Sequence, residues 1–429
     1  VFWSANLDEN WDIYARYRVD GQWSDSIRVT EAAGSDFNQV ATTDAAGDIW
    51  LAWQSFSGDN SDVLVARLEN ERFGKPQVLA DDPANDWTPA IAASQDGRVA
   101  VAWDTYATGD YNVQLREMSD GTWGKPRRVA GSVQNEVRPS LAYDLRDRLW
   151  IAYEISPEGW GKDFGPYDKS PRRTALYQSR SIGVRVLQTD TLMEPQADIN
   201  QALPTARGKR RGPKASDSVK AAGPQLVLDA EGRMWLAARI RLERFDNQVG
   251  GAWLTCLTTL DAEGWRPAVL TPQSDGYLHE RTALAAAPQG GLYLVSSTDG
   301  RFRNAASVGR TRPRKRLPLP SDVTSPATRD VPSYADRLFN RDLAFADTGT
   351  LGKPAGPAEL RPLPEPVLPR VTQGAVAEAE QVAAIRGYRA EVAGQALRIV
   401  RGEFHRHTEF SSDGPGDGSI YDMWRYGLD

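Results

Sequence analysis

The chain holds three histidines, and two of them stand two residues apart in His405-Arg406-His407, followed by Thr408 and a Ser412-Asp413-Gly414 turn. In a strand, side chains at i and i+2 leave the same face, so both imidazoles can reach one cation. Neutral imidazole is a common metal ligand, and a bound divalent ion turns water into a nucleophile at neutral pH. The competing reading is two histidines that merely end a strand, with imidazoles that repel each other once protonated. The third histidine, His279, lies in Gly276-Tyr277-Leu278-His279-Glu280-Arg281 and reads as structural. A second set of candidates is Asp36, Asp86 and Glu136, one acid at the same offset in each of three repeats. These acids either ring the mouth of a central channel or satisfy the backbone of turns.

The elements around the histidines are readable from spacing. Residues 396–404 read as a strand leading into His405, and Ser419 with Asp422 three residues on reads as a helix cap ahead of Met423 and Trp424. Upstream, Ala375, Ala379, Val382, Ile385, Tyr388 and Val392 keep a three-and-four spacing that predicts a helix over 375–392, stopped by Gly394. Eleven of the 27 prolines fall between Pro313 and Pro369, which predicts a connector over 312–370. The basic run at its head, Arg310 to Arg316, reads as a solvated loop.

The larger part of the chain repeats. Gly47-Asp48-Ile49-Trp50-Leu51-Ala52-Trp53 returns 50 residues later as Gly97-Arg98-Val99-Ala100-Val101-Ala102-Trp103 and again as Asp147-Arg148-Leu149-Trp150-Ile151-Ala152-Tyr153. Trp23, Phe73 and Trp123 keep the same step. Each unit reads as four short strands with period-2 alternation, in the second full unit near 88–93, 98–104, 112–117 and 125–130. Such sheets must stack, and a ring of them leaves only short edges, which predicts a β-propeller over 1–311. Further units appear at Gly232 and Gly291, giving about six visible blades, with more expected upstream of a truncated N-terminus. The step from Trp150 to Trp235 is 85 instead of 50, so an insertion is expected near 187–223, with the basic stretch Arg207 to Lys214 as a loop. The aromatics that recur once per blade read as packing residues rather than a sugar platform. A sialidase-type propeller is disfavoured, because Asp44-Ala45-Ala46-Gly47 and Asp229-Ala230-Glu231-Gly232 lack the usual Asp-box spacing.

Composition narrows the partners. With 51 basic against 57 acidic residues and a net charge of -6, no positive field draws in nucleic acid. No apolar run of membrane-spanning length occurs. Cys256 stands alone, which excludes an internal disulfide framework and leaves the compartment open, with export of the full-length protein the favoured side.

The string Arg401-Gly402-Glu403-Phe404-His405-Arg406-His407-Thr408-Glu409, with Ser412-Asp413-Gly414, resembles the first motif of the PHP (polymerase and histidinol phosphatase) superfamily. It is more specifically similar to an uncharacterised bacterial family that joins a propeller-like region to a PHP-like domain. Glu403 stands where Asp is usual, and one additional residue separates His407 from the Ser-Asp-Gly turn. The resemblance implies a distorted (β/α)7 barrel beginning within 371–429, with only its first strand and helix present. It implies a centre of divalent metals (manganese, zinc or iron) in the complete protein, His405 and His407 as first-strand ligands and Asp413 as a further ligand or acid. It also implies hydrolysis of phosphate esters. Amidohydrolases open with His-X-His too; Thr408 and the Ser-Asp-Gly turn favour PHP. The overall expectation is a mostly β chain, a propeller followed by the opening of a metal-dependent hydrolase domain that lacks most of its site. The alternative is a non-enzymatic propeller that binds a glycan, small molecule or protein, with a degenerate PHP domain.

Overall fold

A computed structural model describes residues 1–429 apart from 8, 59, 70–71, 81–82, 158–179, 207–217, 243–251, 299–341, 364–366, 368–370, 372 and 400–418. The described residues form a six-bladed β-propeller arrangement. The third blade is the clearest. Asp86–Ala93, Val99–Thr105 and Asn112–Ser119 run antiparallel, and the short outer pieces Thr122–Trp123 and Arg127–Arg128 pair with the third strand. The second blade repeats this with Ser35–Thr43, Ile49–Ser57 and Asn60–Glu69, and the fourth with Asn135–Tyr143, Leu149–Ser156 and Ser181–Gln188. The fifth follows with Ala221–Leu228, Met234–Leu242 and Ala252–Asp261. The first blade holds Phe2–Leu7, Asn10–Ala15 and Ile27–Arg28. First strands of successive blades pack against one another in order, which sets them around the common axis.

Period 2 explains the packing. In the second strand of the second blade, Leu51 and Trp53 join Ile13 of the first blade, while Trp50 and Ala52 join Val99, Val101 and Trp103 of the third. Both faces of that strand are therefore buried, as near-continuous apolar runs require. The tight turn before each second strand carries its own latch. Asp44, Asp144 and Asp229 each accept backbone N–H groups two and four residues on, and each also accepts the indole N–H of Trp50, Trp150 or Trp235 at 2.8 Å. Where the indole is missing, at Ala100, the aspartate is missing too, and Ser94 Oγ accepts the Arg98 N–H with Asp96 as a second, longer acceptor. Gly47, Gly97 and Gly232 hold the left-handed position of this turn (φ 89°, 90° and 79°), which Asp147 fills in the fourth blade at 54°.

Three expectations shift. Asp342–Asp347, inside the proline-rich stretch, is the third strand of the last blade beside Leu292–Thr298, and Leu360–Pro362 pairs with the outer strand Thr191–Pro195 of the fourth. An average over 57 residues hid the proline-free alternation of Asp342–Asp347. The extra length expected near 187–223 is split: part lies between Ser156 and Ser181, and part after Pro195 around a short 3-10 turn at Ile199–Gln201. The predicted helix over 375–392 ends earlier. Helix α1 is Gln373–Gly387, after which Arg389–Val392 and Gln395–Arg398 make a hairpin. Ala393 and Gly394 both have positive φ in its turn, so Gly394 turns a hairpin instead of capping the helix. A second helix, α2, runs Ile420–Leu428 with the expected capping box between Ser419 and Asp422.

Asp144→Ala should cost about 2–3 kcal/mol, because it strands two backbone donors and a buried indole N–H. Ser94→Ala, which leaves the Arg98 N–H to the longer bond with Asp96, should cost about 1 kcal/mol or less. Urea midpoints of the two variants test this ordering, and equal midpoints would contradict the latch.

Candidate functional site

His405, His407 and Asp413 lie outside the described residues. Among the described residues no group of three or more His, Cys, Asp or Glu side chains is placed to hold a metal ion. His279 is half-buried, stacked on Tyr277 with ring centres 5.7 Å apart and edge-on to Tyr421 at 5.6 Å. Asp36, Asp86 and Glu136 are all buried, so none forms an open rim. Asp36 accepts the indole N–H of Trp53 at 2.9 Å, Asp86 takes Ser61 Oγ on its backbone carbonyl, and Glu136 accepts Ser132 Oγ at 2.5 Å. Asp36 and Glu136 bond within their own blades, and the Asp86 carbonyl ties the third blade to Ser61 of the second.

The charged residues that do meet lie one step further along the first strands. The ladder slips between Phe37 and Val40, Trp87 and Ala90, Val137 and Ser140, and Ala222 and Gln225, a bulge in the same place in four blades. The residue inside each slip has positive φ: Asn38 59°, Thr88 48°, Arg138 54° and Gly223 56°. For threonine and arginine this backbone is costly, and such cost persists where the surroundings demand it. The bulge turns an N–H toward the preceding blade. Arg138 N–H reaches Asp104 Oδ1 at 2.9 Å, and Gly223 N–H reaches Glu154 Oε2 at 3.1 Å.

Helix α2 docks onto this set. Arg138 and Arg180 each bond both Glu154 and Asp422, with Arg180 at 2.7 Å from Glu154 Oε1 and 2.9 Å from Asp422 Oδ2. Arg425 pairs with Asp104, donates to Thr88 Oγ1 at 2.6 Å and lies over the rings of Trp87 and Tyr111 at 5.3 and 5.0 Å. Asp429 accepts the Tyr111 hydroxyl and Asn85 Nδ2, and Asn85 also reaches the Leu428 carbonyl. Helix α1 joins through Arg386 to the Leu428 carbonyl at 2.6 Å and through Glu378 to Tyr106 at 3.2 Å. Burial alone would raise the Asp422 carboxyl, but Arg138 and Arg180 outweigh it and hold it well below the usual range.

The face of α2 turned to the propeller is thus Ser419, Asp422 and Arg425, three apart on one side of a helix. Its apolar residues Ile420, Tyr421 and Trp424 are exposed, the last two at 62% and 60%. Sequence reasoning anticipated the Ser419–Asp422 cap ahead of the apolar Met423 and Trp424; that Asp422 and Arg425 dock the helix went unread. A signal existed. Nine residues ahead of each turn glycine or its equivalent stand Asn38, Thr88, Arg138, Gly223 and Arg281, and seven residues past it stand Gln54, Asp104, Glu154 and Arg239. Polar, mutually different residues at fixed offsets in an otherwise apolar repeat mark positions released from packing.

Two outcomes follow. Asp422→Asn removes the charge that Arg138 and Arg180 share, so amide exchange in Ile420–Leu428 should quicken at least tenfold while the propeller keeps its melting temperature; unchanged exchange would refute the docking role. Desolvation pushes the Glu136 carboxyl up to about 7 from a reference of 4.5. Between those values the folded state holds a proton that the unfolded state has released, so stability falls as pH rises through that window, by roughly 1–3 kcal/mol. Glu136→Gln should flatten the difference in melting temperature between pH 5 and pH 8.

Among the described residues no helix is long and apolar enough to cross a membrane. No family model matches the chain, and no curated protein matches it. Similar solved structures include a protein of unknown function from Dyadobacter fermentans, with 11% identity and a TM-score of 0.42, covering 63% of this chain and 77% of that one. A polysaccharide lyase of the ulvan lyase type has 12% identity and a TM-score of 0.45, covering 69% and 74%. A Hadza microbial sialidase has 12% identity and a TM-score of 0.41, covering 68% and 61%. Glycan-acting enzymes are therefore among the solved structures to which the chain is similar.

Proposed function

We propose that the chain is the propeller platform and opening segment of a divalent-metal-dependent hydrolase acting on phosphate esters, with His405 and His407 as ligands and Asp413 as a further ligand or acid. The observation that carries the reading is the inverted docking of α2. This helix follows the His-X-His segment, is held to the propeller by its polar face through Asp422 and Arg425, and turns Ile420, Tyr421 and Trp424 outward. A helix that is apolar on its free side is what the first helix of a further packed layer requires. The propeller in this reading is a scaffold that fixes where the hydrolase domain begins.

Imidazole with carboxylate suits zinc, iron or manganese. Such an ion supplies a bound hydroxide by lowering the pKa of water from about 15.7 toward about 7. A PHP centre draws further ligands from later strands, so the test uses the chain continued past Asp429. His405→Ala and His407→Ala should each lower bound manganese or zinc per chain at least tenfold and abolish hydrolysis of a generic phosphomonoester or diester. Arg406→Ala, which the i, i+2 spacing of the two histidines leaves out of the ligand pair, should retain the metal. An intact protein without divalent metal, or histidine variants with full activity, would overturn the assignment and leave a propeller-centred binding role.

A further inference from the structure

Residues 419–429 lie on the propeller as a bound peptide would. Ser419, Asp422 and Arg425 are buried against the blades, while Ile420, Tyr421 and Trp424 are exposed. The helix adds little to the apolar core, where Leu428 joins Trp87, Tyr111 and Val137. What holds it is a set of directed polar bonds from Asp422, Arg425 and Asp429. Bonds of this kind select a partner more than they supply net stability.

The receiving side is assembled by the propeller alone. Glu154 holds both Arg138 and Arg180, at 3.1 and 2.7 Å, so two guanidiniums are fixed with further N–H groups turned to the point where Asp422 places its carboxylate. Tyr106 and Tyr111 pack with ring centres 4.9 Å apart. Tyr111 and Trp87 then offer their faces to the Arg425 guanidinium, which Asp104 and Thr88 Oγ1 also receive. Trp87 stands opposite Asp104, and Val137 opposite Glu154, in the ladders of two neighbouring blades. The site therefore lies at the beginnings of first strands and the ends of second strands. The costly positive φ of Thr88 and Arg138 falls inside it, and backbone of that kind collects at ligand clamps.

The order of charges is selective. The first turn of a helix carries a partial positive charge, and here it meets two guanidiniums, so a carboxylate in that turn is what makes the approach favourable. Asp422 supplies it and also closes the capping box with Ser419, so the residue that is recognised is the one that starts the helix. Arg425, three residues on, stands on the same face and meets Asp104. The fit is incomplete at one place. The buried indole N–H of Trp87 finds no acceptor among the described residues, which weakens the hold on α2.

We propose that this face of the third and fourth blades is a receptor for a capped helical segment with Asp in its first turn and Arg three residues later, that α2 fills it in cis, and that it accepts the same pattern in trans from another polypeptide. Helix α2 is then a releasable latch between the propeller and the segment that carries His405 and His407. The receptor belongs to the propeller and stands whether or not those histidines hold metal.

The probe is an acetylated fluorescent peptide of residues 419–429, titrated against the full chain at low salt. A tethered segment competes at an effective concentration on the order of millimolar, so the parent should bind the peptide weakly. Asp422→Lys in the full chain sets a third cation against Arg138 and Arg180 and frees the seat. That variant should bind the peptide saturably and at least tenfold more tightly than the parent does. Peptides carrying Asp422→Asn or Arg425→Gln should bind it at least tenfold more weakly. A peptide carrying both Tyr421→Ser and Trp424→Ser should bind as well as the original, which adhesion through the apolar face would not give. Should Asp422→Lys cost the propeller its fold, the parent supplies the reading: millimolar peptide should quicken amide exchange in the chain's own Ile420–Leu428, and the Asp422→Asn peptide should not. No saturable binding by a folded variant, equal binding of the Asp422→Asn peptide, lost binding of the double-serine peptide, or unchanged exchange in the parent would each overturn the receptor.

Discussion

A strand that is apolar on both faces has to be covered twice, and the second strand of each blade is such a strand. Leu51 and Trp53 need one neighbour while Trp50 and Ala52 need another, so no blade is stable alone and each fixes the angle of the next. The Asp–Trp latches at the turns serve this requirement. They pin the indole that faces the following blade while satisfying the turn backbone, which is why aspartate and indole come and go together.

Once the blades are locked in sequence, the first strands are brought close to the axis, and there the demands change. Packing space gives way to backbone bulges that aim N–H groups and side chains across blade boundaries. The positive φ at Thr88 and Arg138 is supported by what those side chains then hold, Arg425 and Asp422 of α2. A buried ion-pair set of this kind is weak evidence for net stability and better evidence for specificity, because removing any one member leaves its partners uncompensated. It defines where α2 sits and which of its faces remains free.

How much of this was legible in the sequence depends on whether the determining interaction is local and repeated. Of the strands of the third blade, 88–93 and 112–117 fall within Asp86–Ala93 and Asn112–Ser119, and 98–104 is one residue off Val99–Thr105. The Ser419–Asp422 cap is likewise a local hydrogen-bond pattern and is present as read. The alternation of Asp342–Asp347 is local, but its place as a strand of the last blade was not legible, since its partner Leu292–Thr298 lies across a long sequence gap. Asp36, Asp86 and Glu136 shared an offset, but periodicity says only that positions are equivalent. It does not say whether the equivalent place is an open rim or a buried seam.

The sequence by itself determined the blade repeat, the mostly β class and the capped helix after the His-X-His segment, because each is written within a few residues or one period. Only the tertiary structure decided that Asp422 and Arg425 face inward while Tyr421 and Trp424 are exposed. Those facts depend on residues hundreds of positions apart meeting at one axis, and no local rule of spacing or propensity carries the distance between them.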